Sequence, residues 1–508
     1  MVTKVIFLIV FFAIMIGVGI YSRKHATNVD DFVLGGRGVG PWLTAFAYGT
    51  SYFSAVVFVG YAGQFGYKYG LSATWIGIGN AIIGSLLAWI ILGRRTRVMS
   101  KKLSASTMPD YFGKRYDSNA LRIAASAVSF IFLIPYTASV YNGLSRLFGM
   151  AFDIPYAVCV IVMAALTGIY VILGGYMATA INDFIQGIIM IFGIIAVIAA
   201  VLNGQGGFYE AVFKLSEIES DVALTMGQKG VFASFFGPDL PNLIGVVVLT
   251  SLGTWGLPQM VHKFYAIKDE KAIKTGTIIS TFFALIISGG CYFLGGFGRL
   301  FDTEAIYDAK GKLVYDAIVP SMLSTLPDIL IGIVIVLVLS ASMSTLSSLV
   351  LTSSSTLTLD LIKGNIVKDM NEKKQLLCMR IFLVVFIVIS VVIALDPPTF
   401  IAQLMGISWG ALAGAFLAPF MYGLYWKGVT RAAVWASFAC GVGLTVANMF
   451  FGFIASPINA GAIAMIAGLI VVPIVSLITP KMDKKKVEEI FECLDEKVLV
   501  SKRKSIEE

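Results

Sequence analysis

Residues 40–70 read GPWLTAFAYGTSYFSAVVFVGYAGQFGYKYG, an apolar run that carries Gly49 and then the polar cluster TSYFS at 50–54. A helix in hydrocarbon satisfies its backbone N–H and C=O groups internally. An unwound stretch at that depth therefore survives only where it lines a cavity or binds something. Gly40 and Pro41 are expected to start this span, and Gly49 to break it before TSYFSA. A matching break is expected in TSLGTWGLPQ, residues 250–259, at Gly253, Gly256 and Pro258. Two interrupted helices five spans apart predict an architecture of two inverted five-helix repeats, roughly 41–202 and 240–426.

The setting of that run is a membrane. Of 508 residues 57% are apolar and 13% charged, with a mean hydropathy of +0.85. A soluble protein of this size carries far more charge on its surface. Thirteen stretches are long enough, as helices, to cross a hydrocarbon core of roughly 30 Å. They are 4–22, 41–66, 72–93, 123–145, 155–174, 178–202, 240–262, 275–298, 328–361, 377–396, 399–426, 432–453 and 460–479. The expectation is an all-α polytopic membrane protein, transmembrane over 1–480, with a charged tail at 481–508. Helices 4–22, 432–453 and 460–479 flank the repeats, and the first of them reads as retained rather than cleaved.

Charge sets the expected orientation. With the loop after the first span placed in the cytoplasm, the cytoplasmic segments hold 30 of the 38 Lys and Arg residues, Lys263 among them. That asymmetry puts the N-terminus outside and the C-terminus inside. The net charge of +8 is then a topology signal and not a sign of nucleic-acid binding. Cys159, Cys291, Cys378, Cys440 and Cys493 form no CxxC and have no His at metal-ligand spacing, so they read as small apolar residues. His25 and His262 fall at cytoplasmic helix ends and read as interfacial. A membrane enzyme would need a nucleophile and base or a metal cluster, and the spans offer neither. An ion channel would need a ring of ligands from several chains.

Polar side chains inside the membrane are expensive and face the bundle interior or a wet cavity. Asp183, in MATAINDFIQGIIM (177–190), has no Lys or Arg near it in sequence between Arg146 and Lys214. It reads either as a cap at the start of its helix or as a carboxylate held for a cation. The stretch SASMSTLSSLVLTSSST, 340–356, places eleven hydroxyls in seventeen positions. Ser344, Ser347 and Ser348 share one helical face, and Ala341 and Thr345 form a neighbouring strip. A face of oxygens suits a hard, small, redox-inert cation. Nearer the cytoplasm, Thr352 to Thr356 read instead as hydroxyls bonded back onto their own helix.

Six stretches together carry a resemblance: FVLGGRGVGPWLTA (32–45), MPDYFGKRY (108–116), GGYMATAINDFIQGIIM (174–190), GLPQMVHKFYAIKD (256–269), ASMSTLSSLVLTSSSTLTLDL (341–361) and GALAGAFLAPFMYGLYWKG (410–428). In this order and spacing the chain resembles the sodium:solute symporter family, which includes bacterial proline, pantothenate and sialic acid transporters. The resemblance implies a LeuT-like fold of five plus five helices in a prokaryotic plasma membrane, working by alternating access. It implies a sodium ion held by the carbonyls of Thr50, Phe53 and Ala341 and the hydroxyls of Ser344 and Thr345. A second sodium, present in some members, would match Asp183, Ser344, Ser347 and Ser348, giving two sodium ions per solute. Proton coupling through Asp183 is the alternative.

By the same resemblance the solute sits beside the break in span two, near Ser54, Tyr136, Trp255 and Gln403. YKYG, GLP and the Asp-Pro-Pro at 396–398 look closer to the pantothenate type, PYTAS at 135–139 to the proline type. No intramembrane Arg is available to clamp a carboxylate, but the N-termini of broken helices can do that work. The expected solute is a small organic molecule, an amino acid such as proline, pantothenate or another small carboxylate, with a neutral solute left open; membrane lipid surrounds the chain, no nucleic-acid partner is expected, and a monomer suffices for function. The topology is checked by single-cysteine labelling. An impermeant maleimide should reach positions in 204–236 or 302–316 from outside, and positions in 100–115 or 485–505 only after the membrane is opened.

Overall fold

The computed structural model describes residues 2–495 apart from 24–27, 153–154, 309, 364, 368 and 397–399. His25, most of the Asp-Pro-Pro stretch and the end of the charged tail lie outside those residues. Among the described residues the regular secondary structure is all helical, with isolated β-bridges only. Among the described residues ten helices are long and apolar enough to cross a membrane, or eleven when the bent pair Leu240–Trp255 and Pro258–Ala266 is taken as one span. The expected thirteen stretches are all largely helical. The counts differ because breaks and fusions do not respect span boundaries. Pro41–Tyr52 is a half-helix of 12 residues. The stretches expected at 155–174 and 178–202 are merged in Tyr156–Gly204, across a reversal at Gly175 (φ 54°, ψ −145°). Only glycine adopts that conformation at low cost, and a Cβ there would stand 2.7 Å from the Phe32 carbonyl oxygen.

The hydroxyl-rich helix Asp328–Thr356 is the hub. It packs on Tyr156–Gly204, Asn119–Phe152, Val2–Ser22 and the first half of broken span two, Pro41–Tyr52. Its most apolar stretch is 78% buried, whereas that of Glu372–Leu395 is 33% buried. One is a helix surrounded by protein, the other a helix with a lipid-facing side, which its exposed Val384, Val388 and Val392 confirm. Hydroxyls can be this dense only because lipid never meets them.

Small residues set how closely the helices approach. A Cβ on Gly66 would collide with the carbonyl of Gly295 in Glu270–Gly295, and one on Gly77 would stand 2.5 Å from the Gly289 Cα in the same helix. Gly49 belongs to this class, which corrects its expected role as a helix breaker. It lies inside Pro41–Tyr52, and the ring of Phe283 occupies the space a side chain would need. The chain entering span two is also tied to the chain leaving span seven. Val39 N–H donates to Ala266 O at 3.2 Å and Lys268 N–H to Val39 O at 3.1 Å. Gly66→Ala should force two backbones apart and cost about 1–3 kcal/mol, as overpacking does. A fall in the thermal unfolding midpoint of the detergent-solubilised protein would register it, and an unchanged midpoint would show that the two helices do not need this approach.

Candidate functional site

Span two breaks at Phe53, four residues past Gly49. Phe53 is extended (φ −103°, ψ 114°), and Ser54 restarts the helix by accepting the Val56 N–H on its Oγ at 3.1 Å. The hydroxyl helix answers the break directly. Ser342 Oγ accepts the Ala55 N–H at 3.2 Å. Thr345 Oγ1 lies 3.3 Å from the Thr50 carbonyl and 3.1 Å from the Ala341 carbonyl. A hydroxyl has one proton to give, so one of those carbonyls always faces an oxygen lone pair. Ser344 Oγ is buried nearby with no hydrogen-bond partner, and Phe53 and Ala341 line one small cavity. Of the five residues expected around the first ion, Thr50, Ala341 and Thr345 thus meet directly, Phe53 shares a cavity with Ala341, and Ser344 neighbours Thr345 in the chain with its hydroxyl unpartnered. The junction is oxygen-rich, buried and short of protons, which fits a sodium ion.

Of the second group, Asp183 and Ser348 are brought together, through Lys263. Asp183, Ser344 and Ser347 are fully buried and Ser348 is 3% exposed. Asp183 lies inside the continuous second part of Tyr156–Gly204, eight residues past the Gly175 reversal, so it caps no helix start. Ser347 Oγ donates to the Ser344 carbonyl at 2.9 Å, leaving its lone pairs free. Ser348 Oγ is 2.7 Å from Ser51 Oγ in span two. The carboxylate is not an orphan, however, which corrects the view that nothing basic is at hand. Lys263 Nζ stands 3.7 Å from Asp183 Oδ2 and donates to Ser348 Oγ at 3.0 Å. Lys263 was counted among cytoplasmic loop charges because span seven was expected to stop at 262. Its second half runs to Ala266, and Lys263 is buried in it. His262 is likewise buried and not interfacial, its ring 5.5 Å from that of Tyr176.

Span seven breaks where expected, through Gly253–Trp255 and an extended Leu257 before Pro258. Between the two breaks stands Trp409 of Ile401–Tyr425, a residue the sequence reading missed. It stacks on Tyr52 with centroids 5.6 Å apart and meets Tyr136 edge-on at 5.8 Å, and a Cβ on Gly253 would touch its ring. Trp409 Nε1 and the Tyr136 hydroxyl are both buried without a hydrogen-bond partner. Of the four residues expected near the solute, Tyr136 belongs to this aromatic junction, and Ser54 follows two residues past Tyr52 at the break. Trp255 donates Nε1 to the Ile83 carbonyl at 2.9 Å, fastening span seven to span three. Gln403 is elsewhere, lining a cavity of about 320 Å³ with Ile407, Asn448 and Met449. The available signal was one large aromatic set among small residues in ISWGALAG, 407–414.

Two helices broken at membrane depth, one of them against an oxygen-lined junction, are the architecture of a secondary transporter. The family model of the sodium:solute symporter family matches residues 32–441, and the chain belongs to that family. It is a multi-pass membrane transporter of a small-molecule solute, with sodium as coupling ion, and not an enzyme. A sodium/proline symporter of Staphylococcus aureus (strain JH9) is 29% identical over 503 residues, covering 94% of this chain and 93% of that protein. Among solved structures, a substrate-bound, outward-open Na+-coupled sialic acid symporter superposes with a TM-score of 0.76 at 18% identity, covering 95% of this chain and 98% of that one. A nucleobase-cation-symport-1 family transporter in a closed conformation superposes with a TM-score of 0.53 at 11% identity, over 91% and 98%. These two similarities concern the fold. If the aromatic junction holds the solute, Trp409→Ala should weaken solute binding by at least about tenfold, or ~1.4 kcal/mol. Stabilisation by sodium alone should persist, and loss of both responses would make Trp409 a packing residue.

Proposed function

We propose that this chain imports a small carboxylate, proline being the first candidate and pantothenate the next, by sodium-coupled symport with alternating access. The observation that carries the proposal is the Thr345 hydroxyl set between the Thr50 and Ala341 carbonyls, which joins the break in span two to the hydroxyl helix. A sodium ion there, completed by Phe53 and Ser344, stabilises one packing of these two elements. Solute bound beside the same break at Ser54, Tyr136 and Trp409 favours that packing too. Each ligand then raises the other's affinity by the same factor, which is the thermodynamic content of coupling. The 29% identity to a sodium/proline symporter supports proline as the first solute to try.

The topology belonging to this proposal has thirteen crossings, repeats over 41–202 and 240–426, an outer N-terminus and an inner C-terminus, in a prokaryotic plasma membrane. The two oxygen groups provide for two cations, a sodium ion at the first and a second cation beside Asp183. The test is uptake of labelled proline by proteoliposomes under a sodium gradient. Replacing sodium with potassium or choline at constant ionic strength should lower uptake at least several-fold. Equal uptake in all three salts would move the coupling to protons carried by Asp183, and no uptake of proline under any gradient would move the solute to pantothenate or another acid. Thr345→Ala removes one of several first-site oxygens and should cost about 1–3 kcal/mol. It should raise the half-maximal sodium concentration by roughly five- to 150-fold.

A further inference from the structure

A cation already stands among the second group of oxygens. Lys263 projects from the half-helix Pro258–Ala266, its side chain 2% exposed beside an Asp183 side chain that is 0% exposed. Its ammonium lies 3.7 Å from Asp183 Oδ2 and 3.0 Å from Ser348 Oγ, and the Tyr176 ring centroid is 5.2 Å from Nζ on another side. The contact with Asp183 is ionic and longer than a hydrogen bond, so Nζ sits between the carboxylate and the serine, where an ion shared by the two would sit.

Charge and tethering decide what this place can hold. An ammonium carries the same unit charge as a sodium ion and likewise seeks oxygen, offering three N–H donors. A free sodium ion bound to Asp183 and Ser348 would be in contact with that ammonium, two like charges in a closed space where screening is weak. Asp183 with no cation would be an uncompensated buried charge. One carboxylate thus balances one monovalent cation, and the tethered cation is present at high effective concentration whatever the salt outside. Ser344 is the residue the two oxygen groups share. Its hydroxyl has no partner while Lys263 is bound to Ser348, so it remains free for the first ion.

We propose that Lys263 is the second cation of this transporter: its ammonium fills the place between Asp183 and Ser348, so that the chain moves one sodium ion per solute. This rests on the sodium-coupled reading but not on the identity of the solute. Removing the ammonium while keeping the carboxylate should open the place to a free ion.

Equilibrium binding of radioactive sodium to the purified full-length protein, with no solute present, counts the ions directly. The wild type and Lys263→Arg should bind one sodium per chain, Lys263→Met two, and Lys263→Met with Asp183→Asn one again. Two ions on the wild type would overturn the proposal, as would one ion on a Lys263→Met protein that remains folded, the first site serving as its internal control. Should Lys263→Met fail to fold, the wild-type count still decides. No sodium binding to the folded wild type would instead defeat the sodium-coupled reading itself, an outcome distinct from either ion count. Where uptake is measurable, the number of sodium ions moved per solute should double from wild type to Lys263→Met.

Discussion

Backbone left unwound inside a membrane needs partners from a neighbour, and in this protein that neighbour is Asp328–Thr356. At Phe53 the helix of span two stops, and the next turns of chain offer carbonyls and an N–H with nothing in their own helix to meet them. Thr345 and Ser342 meet the Thr50 carbonyl and the Ala55 N–H. Those hydroxyls are affordable only because the helix that bears them is enclosed by others. The enclosure in turn depends on glycines such as Gly49, Gly66 and Gly295, where a methyl group would push the surrounding helices away. Break, hydroxyl face and close helix packing are therefore one arrangement.

The same enclosure makes charge costly. Lys263 and Asp183 come from different helices, and neither is tolerable alone at that depth. Their pairing joins the second half of span seven to span six, while Ser348 links the ammonium to Ser51 beside the break in span two. A cation in this position, tethered or free, lies at the meeting point of four elements. Small movements of any of them change its coordination, which is the property a coupled transporter needs from an ion site. Trp409 ties the same region together by packing, one indole meeting Tyr52, Tyr136 and the Gly253 backbone.

Much of this was legible beforehand from particular residues. The break in span seven followed from Gly253, Gly256 and Pro258, and the oxygen face followed from the spacing of Ser344, Ser347 and Ser348. The break in span two was read four residues early. Gly49 looks the same in sequence whether it interrupts a helix or admits a neighbouring ring, and only the position of Phe283 distinguishes the two. Asp183 was recognised as functional or structural by its cost, but its partner was sought only among residues near it in sequence.

What the sequence by itself determined is what depends on local pattern: membrane insertion, the helical class, the place of the hydroxyl face and the need for something to compensate Asp183. These follow from hydropathy, helical periodicity and the price of charge in hydrocarbon, none of which requires knowing who packs on whom. Tertiary structure decided the pairings. Lys263 lies 80 positions beyond Asp183, at a boundary where four residues separate a solvated loop from the end of a buried half-helix. Trp409 reaches both breaks through the crossing of three helices. Contacts of that kind depend on how helices cross, and crossing angles are set by the whole packed bundle and not by any one stretch of chain.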